Sequence, residues 1–410
     1  MMFANRLSVL VISVFTLYLS TLCACNKPTD LDPNPSDLSK GPVPELVDPG
    51  HFTILSWTGV KNEYASFGFK KLKEAGINTY LGSYDDIKAA ETALTIADEV
   101  GIKMIVNCPE LLTETERTTS LFSAHPSFLA YHIFDEPELS ELKDVAERIR
   151  NVEKYDSTHP CYVNLYPNYA WGEDLYLARV RQFAEAVPVK FLSFDNYPCI
   201  SEDGVTVLRK DWYHNLEDIR TLAKEKQYPF WAFALALAHK TDKRVYPVPT
   251  LGELRLQQFS NLVYGATGFQ YFTTWGLIQN AKIITGVYER VQRVNSELIG
   301  LEPIFAGADI KEVWHIGREI PSGCKAMVQA PSGIDHVRAI DGNAIVSFLI
   351  NNDKQYLAIV NSSPNEKLTL DIGFENKATA YRYDKASVAS PFTPGEIQLM
   401  PGDIAVFSWK

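Results

Sequence analysis

The sequence lacks the marks of metal, redox and nucleotide chemistry. Its six cysteines contain no CxxC pair, so zinc and dithiol motifs are unsupported. Eight histidines form neither an HExxH run nor a cluster, which leaves no sequence signature for a metal or other cofactor. No GxGxxG turn follows the first strand-like stretch, and no glycine-rich loop is built to cradle phosphate. Basic charge is in deficit, 39 Lys and Arg against 50 Asp and Glu, for a net charge of −11. That balance argues against a nucleic-acid partner. Internal repeats and low-complexity tracts are missing too, apart from a Pro-rich segment near the N-terminus.

The apolar run at residues 7–19 is too short to span a bilayer comfortably. Arg6 precedes it, Leu22-Cys23-Ala24-Cys25 follows, and a polar, Pro-rich tract extends to residue 49. This order reads as a signal peptide over residues 1–24, and Leu-x-Ala-Cys resembles a bacterial lipobox. Cleavage before Cys25 and lipidation of its thiol are expected, with an ordinary secretory signal as the alternative. Either reading exports the protein. A lipid on Cys25 would anchor it to a bacterial membrane, periplasmic or at the cell surface, without a spanning helix. Residues 25–49 then form a linker.

What remains has a globular composition, 46% hydrophobic and 22% charged, and is long enough for two domains. Strand-like runs are expected at 51–58, 77–81, 102–106, 128–136, 161–165, 190–194, 230–237 and 269–273. Helical patterns lie between most of them, at 62–75, 85–100, 139–155, 173–186, 212–226 and 251–264, and a last one follows at 283–301. Gly76, Gly101 and an Asp cap at 85 or 86 punctuate them. Eight such alternations over residues 50–306 fit an α/β fold, a (β/α)8 barrel. From residue 307 to 410 the pattern turns to short alternating strands, an antiparallel β-sandwich. Asp341-Gly342 and Asn351-Asn352-Asp353 look like hairpin turns within it. Cys108, Cys161, Cys199 and Cys324 read as small buried residues rather than disulfides or nucleophiles.

The stretch from Phe128 to Glu138 is the most informative. An apolar strand ends in Asp135-Glu136-Pro137, and proline cannot continue a ladder. In a barrel this places both acids on the C-terminal rim, where active sites lie. Other strand ends add Trp57, Tyr84 with Asp85, Asn107 with Glu110, Tyr166 with Tyr169 and Trp171, Asp195 with Tyr197, His239 and Trp275. Carboxylates among aromatics suit glycosidic bond cleavage: one acid protonates the leaving oxygen, and a second attacks or activates water. Aromatic faces would hold the sugar rings. The expected sugar contacts are Trp57, Tyr84, Asn107, Tyr166, Tyr197, Trp231 and Trp275. His132, mid-strand, reads as a hydrogen-bonded core residue.

Phe134-Asp135-Glu136-Pro137 resembles the Asn-Glu-Pro signature of clan A glycoside hydrolases. The segments 228–233, 254–257 and 264–272 look like the second half of family-42-like β-galactosidase barrels. This resemblance covers residues 50–300. It implies a barrel hydrolase with Glu136 as general acid/base. The chain departs from the pattern twice. Asp135 stands where the clan has asparagine, and the seventh strand carries no acid before Asp242 in place of the usual nucleophilic glutamate. Asp195, on the sixth strand, is the candidate second carboxylate; a wide separation from Glu136 would suit inversion. Attack by a substrate acetamido group is another route. The expected function is a glycoside hydrolase with catalytic Glu136, Asp195 and Asp135. The alternative is a non-catalytic carbohydrate-binding barrel.

Overall fold

The computed structural model describes residues 50–284, 286–375 and 378–410; the expected signal peptide, Cys25 and linker lie outside them. Eight strands, all paired in parallel, run in the order β5-β4-β3-β2-β1-β8-β7-β6. They are β1 (Thr53–Trp57), β2 (Thr79–Ser83), β3 (Lys103–Asn107), β4 (Phe128–Asp135), β5 (Cys161–Asn164), β6 (Leu192–Phe194), β7 (Phe230–Leu235) and β8 (Gly268–Phe272). The ring closes where Leu165 bridges Phe194, with the Leu165 amide donating to the Ser193 carbonyl at 2.8 Å.

A helix follows each strand: α1 (Ala65–Glu74), α2 (Ile87–Val100), α3 (Thr115–Phe122), α4 (Leu142–Glu153), α5 (Tyr176–Ala186), α6 (Trp212–Lys226), α7 (Leu251–Tyr264) and α8 (Val287–Phe305). Local chemistry sets their ends. The Asp86 side chain accepts from the Ala89 amide at 2.7 Å and caps α2, and Gly101 closes it at φ +71°. Thr250 and Glu253 form a reciprocal capping box on α7. α3 has no counterpart among the expected elements. α8 starts later than expected because 278–279 and 282–283 pair as a small hairpin.

Side chains alternate between two cores. Leu55, Leu81, Ile105, Ala130, Tyr162, Trp231 and Phe233 fill the barrel interior. Their neighbours in sequence face the helices, the period-2 rule for strands covered on both sides.

Nine further strands follow: β9 (Asp309–Gly317), β10 (Ile334–Ala339), β11 (Asn343–Asn351), β12 (Lys354–Asn361), β13 (Leu368–Phe374), β14 (Ala380–Tyr383), β15 (Ala389–Pro391), β16 (Gly395–Leu399) and β17 (Ile404–Trp409). A six-stranded antiparallel sheet, β9-β11-β12-β17-β14-β15, faces a three-stranded one, β10-β13-β16. On β12, Leu357 and Ile359 point between the sheets, while Tyr356, Ala358 and Val360 join the barrel's outer core. The large sheet is therefore buried on both faces, and α7, buried around most of its circumference, packs beneath it.

Asn352 and Asp353 take φ of +48° and +61°, the two-residue turn expected between β11 and β12. Asp341-Gly342 is not a hairpin: it joins β10 to β11, which belong to different sheets. Among the described residues the four cysteines are free, three of them buried. No helix of these residues is long and apolar enough to cross a membrane.

Candidate active site on the barrel rim

Three carboxylates from two strands meet on the rim. Asp135 ends β4 and Glu136 follows it; Asp195 follows β6. Asn164, the last residue of β5, lies between them. Its Nδ2 donates to Asp135 Oδ1 at 3.2 Å and to Asp195 Oδ1 at 3.1 Å. The orientation of this amide is fixed from below. Ser193 Oγ donates to Asn164 Oδ1 at 3.0 Å, Gln270 Nε2 donates to Ser193 Oγ at 2.9 Å, and the Tyr162 hydroxyl donates to Gln270 Oε1 at 2.7 Å. With Oδ1 committed to a donor, only Nδ2 can face the acids.

Glu136 has a left-handed backbone, φ +53°, with its amide donating to the Asn164 carbonyl at 2.9 Å. A non-glycine residue there is strained by about 1–3 kcal/mol. The turn carries the Glu136 side chain towards Asp195, and the two carboxyls are in hydrogen-bonding contact. Such a contact requires a shared proton. Burial, then the charges of Asp195 and Asp135, push Glu136 up to about 9. Burial, then Asp135, raise Asp195 to about 6, against hydrogen bonds from Glu136, Asn164 and Tyr197. The pair titrates as a unit, with the proton residing on Glu136 at neutral pH. Asp135 is the solvent-exposed member. Crowding by surrounding protein raises its carboxyl, with Asn164 opposing.

Glu136 and Asp195 are neighbours on the rim and do not show the wide spacing that would suit inversion. No acid stands at the end of β7, which continues as Ala236-Leu237-Ala238. Asp85 is exposed at the helix start and Glu110 lies beside Cys108; neither joins the hydrogen-bonded group.

The expected sugar contacts divide. Tyr166 and Tyr197 are half-buried on the rim; Glu136 is the first charged neighbour of Tyr166, and Asp195 that of Tyr197. Asn107 ends β3 on the interior side. Trp275, 49% exposed, lies over Gly59. Trp57 is buried beneath the rim, edge-on to His132 and Phe233.

Two expectations are overturned. Trp231 is completely buried. It is the second residue of β7, at the lower end of the barrel, and lies across Gly268, where a Cβ would approach its ring to 2.2 Å; it is core, not a platform. Tyr84 folds back over Gly82 on the helix side of β2, its hydroxyl buried near Tyr80, and so faces away from the acids. His132 is buried as expected, but neither ring nitrogen has the hydrogen-bond partner that was expected of it. Burial lowers the imidazole to about 4 and keeps it neutral. Asn164 escaped notice in the sequence; a polar residue on the interior-facing parity of β5 was its signal.

One group among the described residues could ligate a cation. Glu217, His315 and Cys324 place ligand atoms within 4.8 Å of one another. They lie on the seam between α6 and β9, and the Tyr264 hydroxyl already bonds to His315 Nε2 at 2.8 Å and Glu217 at 3.2 Å.

No protein-family profile matches the chain, and no curated protein is similar to it. Among solved structures, a Bacteroides fragilis protein provisionally described as an alpha-galactosidase superposes with a TM-score of 0.53 at 11% identity, covering 88% of this chain and 79% of that one. A family 51 alpha-L-arabinofuranosidase from Bifidobacterium longum is a looser match, with a TM-score of 0.47 at 9% identity over 88% of this chain and 96% of that one. The first likeness supports the fold, a (β/α)8 barrel followed by a β-sandwich.

Proposed function

We propose that this chain is a glycoside hydrolase with Glu136 as its general acid. The observation that carries the reading is the convergence of Glu136, Asp195 and Asp135 on the barrel rim, with one oriented asparagine bridging the two aspartates. Glu136 holds that proton at neutral pH and gives it to the leaving glycosidic oxygen. Asp195 keeps Glu136 protonated until then, because two adjacent carboxylates cannot both ionise cheaply. Asp135, open to solvent, is the carboxylate free to take a proton from the water that adds at the anomeric carbon, or to orient a substrate acetamido group. Tyr166, Tyr197 and Trp275 offer faces to the sugar.

The experiment is a screen of aryl glycosides and oligosaccharides with the wild type and Glu136→Gln. The variant keeps the acceptor geometry but not the acid, and turnover should fall by about 10²–10⁴-fold with circular dichroism unchanged. Full activity in the variant sinks the assignment. The second reading, a binding-only barrel, is favoured by the absence of an acid at the end of β7. Sugar binding without product release by the wild type selects it. Membrane anchoring through Cys25 is a separate proposal, supported by the lipobox-like residues alone; Cys25→Ala should move the protein from the membrane to the soluble fraction.

A further inference from the structure

The loop after β7 brings no acid to the rim, but it does bring cations. It forms a small hairpin, His239–Lys240 paired with Val245–Tyr246. Lys240, Lys243 and Arg244 stand on it against one acid, Asp242. The base of the hairpin is anchored on the active-site face: buried Tyr246 meets Tyr197 edge-on at 6.3 Å, and His239 lies 6.5 Å from Phe272. Arg244 is half-buried, its guanidinium carbon 5.1 Å from the centre of the Tyr169 ring. Tyr169 is pinned by a second arginine. Arg209 stacks on it at 3.6 Å and is itself held by Asp211, Nε to Oδ1 at 3.1 Å and Nη2 to Oδ2 at 2.7 Å. The phenol of Tyr169 has Asp195 as its first charged neighbour, so this assembly borders the carboxylate cluster.

The Arg244 guanidinium has no ion pair or hydrogen bond among the described residues. On a hairpin tip in open water that would need no explanation. Here the cation is half-buried on an aromatic ring that has Asp195 as its first charged neighbour, in a chain with a net charge of −11. The rim acids are bonded to Asn164 and to each other, not to Arg244. A guanidinium gains more from an anion than from a neutral hydroxyl, because a charge-assisted bond is about twice as strong, and an anionic sugar would be repelled by the rim acids without a cation to offset them. The planar fork of arginine matches a carboxylate or a sulfate.

We propose that Arg244, seated on Tyr169, binds an anionic substituent, a uronate carboxylate or a sulfate ester, on the sugar residue held at the Glu136 site. The inference rests on the glycoside reading and narrows its substrate to acidic glycans. Arg209 has a positioning role, keeping Tyr169 in place.

The test is equilibrium binding by calorimetry or ligand-observed NMR to the full chain carrying Glu136→Gln. The probes are glucuronate, galacturonate and the 6-sulfates of glucose and galactose, each against its neutral parent. At least one anionic sugar should bind about tenfold tighter than its parent, and adding Arg244→Ala should erase the difference while circular dichroism stays the same. The uronate and sulfate arms tell the two sources apart. Equal binding of neutral and anionic sugars, no binding of any anionic sugar, or unchanged anionic binding in Arg244→Ala overturns the proposal. Turnover of neutral glycosides alone by the wild type overturns this inference and leaves the hydrolase reading standing. Anionic binding without turnover by the wild type does the reverse.

Discussion

Two groups of charged side chains in this protein are built on opposite plans. On the seam between barrel and sandwich, Arg255 of α7 donates from Nε to Glu297 of α8 at 2.8 Å. Arg293 reaches Glu297 at 3.3 Å, and Lys385 from the sandwich pairs with Asp403 at 2.6 Å and with Glu297 at 3.6 Å. Three cations surround two anions, and each charge has an opposite. Burial alone would lower Arg255, but Glu297 and Asp403 hold its guanidinium above the ordinary value. On the rim, one neutral amide bonds two carboxylates, and a third carboxyl crowds them. The difference teaches what charge is for in each place. Balanced charges fix two elements together and leave protons where they were. Like charges crowded together with no cation bonded to them store a proton, which an acid catalyst needs.

The sharpest break of this comparison is Arg255→Met. Removing one partner leaves Glu297 buried with weaker company, and loss of about 3–5 kcal/mol is expected in urea denaturation. Activity per folded molecule should stay the same, because nothing on the rim touches this network. A loss below about 1 kcal/mol would mean that the seam charges are as weakly coupled as surface pairs.

Asn164→Ala tests the rim at a smaller scale. It removes two hydrogen bonds to carboxylates, each of which favours the charged form, so Asp135 and Asp195 should hold protons to higher pH. If the rim hydrolyses glycosides, kcat/KM should fall about 10–100-fold. The acidic limb of its pH profile, set by the pair near 6, should move upward, while the alkaline limb near 9 moves less. An unshifted acidic limb would detach Asn164 from the titration.

The barrel was legible because its strands are covered on both sides and read as unbroken apolar runs, and because Gly101 and Gly265 end α2 and α7 in left-handed conformations that the sequence advertises. α3 was not, for a physical reason. Its sequence, TERTTSLF, is rich in β-branched threonine, and it buries Thr115, Thr118 and Thr119 beside a single large apolar residue, Phe122. No apolar stripe marks a helix that buries hydroxyls, with Thr115 and Thr118 bonding back to carbonyls four residues earlier. The acids were legible from their place after β4 and β6. Trp231 was misread because tryptophan at a strand suggests a sugar platform, whereas its position as the second residue of β7 sets it deep in the barrel. Asn164 was passed over because it lies inside the expected strand rather than in the loop beyond it; only the parity it shares with Tyr162 shows that it points inward.

The last expected effect, smallest at low pH, returns to Glu136. Its φ of +53° suits glycine, and Glu136→Gly should raise unfolding stability by about 1 kcal/mol near the pH of ordinary carboxyl titration. The gain should grow as pH rises. The native state keeps a proton on Glu136 up to about 9, while the unfolded chain releases it near the ordinary glutamate value. Between those limits the folded form binds more protons, so the wild type loses stability with rising pH. Glycine at this position has no proton to hold and removes that slope. Denaturation of both proteins at pH 5, 7 and 9 reads it directly; parallel curves would refute the raised carboxyl, and a less stable variant would refute the strain. A glutamate that costs stability through its backbone and through its charge is explained by what it does to a substrate, and the seam residues, which stabilise through both, need no such explanation.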